Sequence, residues 1–205
     1  MSKKKILFVC GSLNQTTMMH QTTQHLADYH CFFTPFYADG LIGYLAEKGM
    51  ADFTALGGPM RRLTEDYLQQ NRLEVDFRGV TNHYDLVVTG SDLIVQKNVR
   101  GKKLILIQEG MTDPENLIYS LVKWFKLPRY LASTATNGLS NAYDKFCVAS
   151  EGYREFFVEK GVLPEKIEVT GIPNFDNVLQ YLNNNFPIRH HVLVATSDAR
   201  ETFKL

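Results

Sequence analysis

The chain lacks an excess of charge: Lys and Arg total 22, as do Asp and Glu, over 205 residues. Without a net field it is drawn as a whole neither to nucleic acid nor to an anionic surface, so any charged partner is met locally, as at Lys3-Lys4-Lys5. Cysteine is scarce. Cys10, Cys31 and Cys147 are far apart, odd in number and without metal-ligand spacing. That excludes a disulfide framework or a zinc module and reads as reduced core residues of a cytoplasmic protein. No apolar run approaches the roughly eighteen residues of a membrane span. The run from Ile6 to Cys10 stops at Gly11, too short for a secretory leader. Peripheral contact with the inner face of a membrane stays open. Also missing are the G-x-x-x-x-G-K-[ST] phosphate loop, a G-x-G-x-x-G after the first strand and a G-x-S-x-G elbow, so phosphate-loop, nicotinamide and α/β-hydrolase chemistries lose ground. His20 and His25 are not an i, i+4 pair and His190-His191 opens a strand, so no metal is expected.

What is present is material for a substantial core: 44% hydrophobic and 12% aromatic residues. The most legible unit runs over 143–176. Lys145-Phe146-Cys147-Val148-Ala149 predicts a strand, Ser150 a helix cap, and Tyr153, Phe156 and Phe157 one aromatic helix face. Gly161 supplies the stop, and Lys166-Ile167-Glu168-Val169-Thr170 resumes as a strand before Gly171-Ile172-Pro173-Asn174. That is a strand–helix–strand crossover whose last turn lies where open α/β sheets place ligand loops.

The other strands repeat the theme. Lys5 to Cys10 is apolar throughout, as in a parallel strand buried on both faces, and ends at Gly11-Ser12-Leu13-Asn14, a turn able to hold a phosphate or sugar hydroxyl at a helix N-terminus. A helix is expected over 14–29, an aromatic strand over 30–37, and helices within 41–50 and 60–70. Buried strands are expected over 85–90 and 103–108. They end at Ser91-Asp92 and Glu109-Gly110, so two successive parallel strands hand a carboxylate to one rim. A rigidly held pair of that kind suits general acid–base work. A strand-end acid that only caps a helix or orders a loop is commoner, and the coincidence on adjacent ends shifts the balance toward chemistry. Asp113-Pro114-Glu115 is expected to open an apolar helix through Leu117, Ile118, Leu121, Val122, Trp124 and Phe125, read first as a packing face and second as a lodging for a lipid-like acceptor. A helix over 175–182 and a strand over 191–196 complete the chain. A domain does not end naturally just after such a strand, so 188–205 is expected to open a second domain.

The segment Phe146-Cys147-Val148-Ala149-Ser150-Glu151-Gly152-Tyr153, the strand at Ile167 and Gly171-Ile172-Pro173-Asn174-Phe175-Asp176 resemble the end of the N-terminal domain in GT-B-fold enzymes. The closest likeness is to UDP-N-acetylglucosamine 2-epimerases and related sugar-nucleotide glycosyltransferases. Thr89-Gly90-Ser91-Asp92 looks like the epimerase His-Gly-Asp strand end, and Gln108-Glu109-Gly110-Met111 like its Glu-Ala-Gly-Leu segment. The run Val192 to Phe203 resembles the first strand of the second domain and its Gly-His-Arg-Arg-Glu loop, with Asp198 near the place of that histidine. The family's arginine after the first strand is missing from Gly11-Ser12-Leu13-Asn14-Gln15. That loss and the loss of the histidine count against epimerisation.

The resemblance implies an α/β fold, a Rossmann-like three-layer sandwich with a mainly parallel sheet forming the N-terminal half of a GT-B fold. Residues 1–187 would be the acceptor-side domain and 188–205 the start of a nucleotide-binding domain. It implies transfer of a sugar from a nucleotide-diphosphate sugar to a glycan or lipid-linked acceptor in cell-surface polysaccharide or glycolipid synthesis, with no cofactor and no metal. Asp92 and Glu109 would be the catalytic carboxylates. Gly11, Ser12, Asn14, Ser91, Gly110, Ser150, Glu151, Gly171, Pro173, Asp198 and Arg200 would bind substrate. An epimerase and a non-catalytic binding domain are the alternatives, and a homodimer stays open.

Overall fold

The computed structural model describes residues 3–50, 56–182 and 190. The expected strand over 191–196, Asp198, Arg200 and the domain boundary after 187 lie outside the described residues.

Side chains alternate between the two faces of a strand, so a strand apolar at every position must be covered on both sides. β1 (Lys5–Val9) meets that condition: Ile6, Leu7, Phe8 and Val9 are all buried. It sits inside an all-parallel six-stranded sheet with β2 (His30–Thr34), β3 (Leu86–Thr89), β4 (Leu104–Ile107), β5 (Lys145–Val148) and β6 (Ile167–Val169), in the order β2-β1-β3-β4-β5-β6. Ile6, Phe8 and Cys10 pack with Met18, Met19, Phe33 and Leu68 under α1 (Leu13–Thr23) and α3 (Gly58–Gln70). Leu7 and Val9 join Val87, Leu106, Phe146 and Phe157 beneath α5 (Glu151–Lys160) on the other face. The molecule is an α/β Rossmann-like sandwich, as expected. Burial raises the Cys10 thiol to about 12, in keeping with an inert core residue.

Several boundaries move, each for a local reason. The aromatic strand expected to reach Tyr37 stops at Thr34, because Pro35 has no N–H for the ladder and Thr34 Oγ1 donates instead to the Phe36 carbonyl (2.9 Å). The first helix stops at Thr23 rather than continuing to Tyr29. Its Thr22 and Thr23 hydroxyls donate back to Met18 and His20 carbonyls, a competition that weakens a helix end. The stretch expected as a helix over 175–182 is 3-10 helical, Pro173–Tyr181.

The apolar helix is corrected most. α4 (Leu117–Phe125) starts not at Asp113 but after Asn116, whose side chain accepts the Tyr119 N–H at 2.9 Å, while Asp113 is held by the Ser133 hydroxyl and the Thr134 side chain. Only Tyr119 and Val122 are buried, against Ala132 and Ala135. Leu117, Ile118, Leu121, Trp124 and Phe125 face outward, so the helix is not a core element. Gly40–Glu47 forms α2, closing a small cluster of Phe36, Ala38, Ala46 and Leu56.

One buried acid organises the entry to β3. Asp76, 3% exposed, accepts backbone N–H bonds from Val80, Thr81 and Asn82 at 3.1 Å and a bond from the Tyr84 hydroxyl. Burial pushes its carboxyl up, but the bonds from Tyr84, Thr81 and Asn82 outweigh burial and hold it below the ordinary range. A carboxyl lowered in the folded state lends stability above its unfolded value, near ~3.9, and that stability is lost as pH falls through the folded value. Asp76→Asn is therefore expected to lower the unfolding free energy at neutral pH by about 1.5–3 kcal/mol. In urea titrations the gap between variant and parent should close below about pH 4.

Candidate functional site

Going outward from β1, the chain first builds β2 on one side and then β3 on the other, so the strand order reverses between β1 and β3. Outside the carboxyl ends of two such strands a crevice opens, because their loops diverge in opposite directions. Gly11 lies just past β1 and Gly90 just past β3, and one side chain lies across both. A Cβ on Gly11 would collide with Gln15 Oε1, and a Cβ on Gly90 would come within 3.1 Å of Gln15 Cδ. Glycine at these positions makes room for that amide.

Gln15 occupies the third position of α1 after its cap, Ser12, whose hydroxyl accepts the Gln15 N–H at 3.2 Å. Ser-Leu-Asn-Gln is thus the S-x-x-Q form of a capping box. Here the glutamine reaches further than such a box requires. Its Oε1 accepts the Gly11 N–H at 3.0 Å, and its Nε2 donates to Glu109 Oε2 at 2.6 Å. Glu109 Oε1 accepts from Asn14 Nδ2 at 2.7 Å and from the Ser12 hydroxyl at 3.2 Å. Asn174, beyond the Gly171-Ile172-Pro173 turn, donates to Asn14 Oδ1 at 3.3 Å and brings the end of β6 into the same cluster. Tyr37 lies beneath, packed near Gly11, with its phenol pushed up to about 12 by burial and by the charge of Glu109.

The cluster holds one half-buried carboxylate whose partners among the described residues are all neutral donors. A carboxylate has only acceptor sites, and three of those on Glu109 are met by side chains that a ligand hydroxyl could replace one for one. A diphosphate would meet repulsion there.

Asp92 goes elsewhere. Both acids do lie past the ends of adjacent parallel strands, but Asp92 is fully buried and its carboxylate is occupied by the 129–140 segment. Oδ1 accepts the Gly138 N–H (2.8 Å), and Oδ2 accepts the Ser140 N–H (2.9 Å) and Arg129 Nη1 (3.0 Å). Arg129 Nη2 donates to the Asp92 carbonyl at 2.6 Å. Ser91 joins the same knot through Asn137 Oδ1 at 3.2 Å. Gly138 adopts φ +85°, and a Cβ there would press on Phe146 at 2.9 Å, so the loop closes only with glycine.

Of the expected site residues, Gly11, Ser12, Asn14 and Glu109 come together, with Gly171 and Pro173 adjoining through Asn174. Gly110 accepts Gln108 Nε2 at 2.9 Å, and Gln108 Oε1 accepts the Ala149 N–H, a stitch between the ends of β4 and β5. Ser150 caps α5 by accepting the Tyr153 N–H, and Glu151 pairs with Arg154 at 3.4 Å; both are exposed and take no part in the Glu109 cluster. Gln15, Asn174, Arg129 and Asn137 are not among the expected residues. The S-x-x-Q spacing could have flagged Gln15, whereas nothing local marks the other three.

Asp92→Ala is expected to cost about 3–5 kcal/mol, because it strands Arg129 and two loop N–H groups. Glu109→Gln should stay within about 1 kcal/mol of the parent. Denaturant unfolding of the two variants separates a structural carboxylate from an available one.

No family model and no curated protein matches the chain. Among solved structures it is similar to Anabaena Alr3699/HepE, crystallised in complex with UDP and glucose, at 15% identity and a TM-score of 0.40 over 82% of this chain and 44% of that one. The chain spans less than half the length of that protein.

Proposed function

We propose that this chain is the acceptor-side, N-terminal domain of a GT-B-type glycosyltransferase, with Glu109 as the base that takes a proton from the acceptor hydroxyl. The observation that carries the reading is a half-buried carboxylate past the end of β4, ringed among the described residues by Ser12, Asn14 and Gln15 and by no cation. Neutral amides and hydroxyls suit a hydroxylated ligand, while a nucleotide diphosphate calls for the basic side chains of a second domain. In the reaction the acceptor oxygen attacks the anomeric carbon of the donor as its proton passes to Glu109. The bond between that carbon and the nucleotide diphosphate breaks, and the diphosphate leaves with the electron pair. Asn14 and Gln15 orient the carboxylate, and Asp92 acts at a distance by holding the 129–140 loop against the same edge.

The test is made on the complete protein with UDP-GlcNAc as the first donor and candidate glycan or lipid-linked acceptors. Release of UDP that depends on acceptor supports transfer, and Glu109→Gln should lower kcat by about 10²–10⁴-fold with little change in donor KM. Conversion to UDP-ManNAc without acceptor would assign an epimerase instead. A Glu109→Gln variant as active as its parent would remove the proposed base.

A further inference from the structure

The turn that follows β6 is held in place by its backbone. Thr170 and Gly171 both donate their N–H to the Val148 carbonyl, at 3.0 and 3.2 Å, and Gly171 turns the chain at φ +83°. Ile172 is buried in the cluster that includes Met18, Met19 and Phe33. Pro173 then opens the 3-10 segment with its φ preset, and the Phe175 N–H closes on the Ile172 carbonyl at 3.0 Å. None of these contacts uses the side chain of Asn174.

That side chain goes to the Glu109 cluster. Asn174 Nδ2 donates to Asn14 Oδ1 at 3.3 Å, and Asn14 Nδ2 donates to Glu109 Oε1 at 2.7 Å. An amide accepts at one end and donates at the other, so only one setting of Asn14 serves both bonds. Asn14 lies on the first turn of α1 and is exposed, and a free side chain there would exchange among rotamers that do not all reach the carboxylate. The donor from the turn after β6 takes away that freedom.

We propose that Asn174 is a positioning residue for Glu109. It touches no reacting atom; it holds Asn14 over the carboxylate, so that the carboxylate meets an acceptor hydroxyl in one orientation. The bearing on reaction rate rests on the proposed function, but the hold on Asn14 does not. The segments leaving β1, β4 and β6 thereby meet at one carboxylate, and a change in the path of the chain after β6 is felt there.

The hold is read without substrate, in proton–nitrogen spectra of the isotope-labelled full chain. The side-chain amide signals of Asn14 are assigned by their loss in Asn14→Ala. They are then followed in Glu109→Gln, in Asn174→Ala and in Asn174→Leu, which keeps the bulk of the side chain and removes its donor. Glu109→Gln should move the Asn14 amide protons upfield, and both Asn174 variants should move them in the same direction with the folded-state circular dichroism intact. In the complete protein each Asn174 variant should lower kcat by about three- to tenfold with donor KM unchanged, and neither should lower it further once Asn14→Ala is present. Asn14 signals that stay in place in both Asn174 variants overturn the proposal, as does a signal that moves in Asn174→Ala alone, which would reduce the contact to packing. A kcat loss that adds to that of Asn14→Ala overturns it too. A Glu109→Gln protein as active as its parent removes the base and the effect on rate, and the amide signals then decide by themselves whether Asn174 holds Asn14.

Discussion

An all-parallel sheet cannot be built from hairpins, and everything else in this molecule depends on that restriction. Each strand must be reached by a crossover that packs on one face or the other, so both faces are covered and every strand ends on the same edge. The alternation of Ile6 and Phe8 toward one helical layer with Leu7 and Val9 toward the other is that restriction expressed in side chains. The polar residues after the strands are thereby collected in one place. Chemistry at that edge is a result of topology before it is a result of any particular residue.

Two carboxylates delivered by neighbouring strands nevertheless end in opposite circumstances. Asp92 meets a cation and two backbone donors out of reach of water, and its role is to close a loop rich in Ser, Thr and Asn. Among the described residues Glu109 meets only neutral side chains at the rim. The two strand-end turns take different paths, and the contrast arises there: the turn after β3 tucks under the 129–140 segment, while the turn after β4 runs beside the N-terminus of α1.

Strand identities are legible in the sequence because continuous apolar runs such as Leu86-Val87-Val88-Thr89 admit one arrangement, and the caps at Ser12 and Ser150 are legible because hydroxyls there serve backbone N–H groups directly. Less is visible where the determining contact is remote. Nothing in the order of residues reveals that Asp92 will meet Arg129 and Gly138, or that Asn174 will reach Asn14. The outward face of α4 is hidden for a related reason: apolar periodicity gives the width of a stripe, not whether this chain supplies a surface to cover it.

The amide of Gln15 has a direction, and both of its ends are spoken for. Its oxygen faces a donor on the first turn and its nitrogen faces a carboxylate from the fourth strand, so a half-rotation would set oxygen against oxygen and N–H against N–H. The group works as a keyed peg between two loops, and whatever draws the carboxylate outward pulls the start of the first helix along with it.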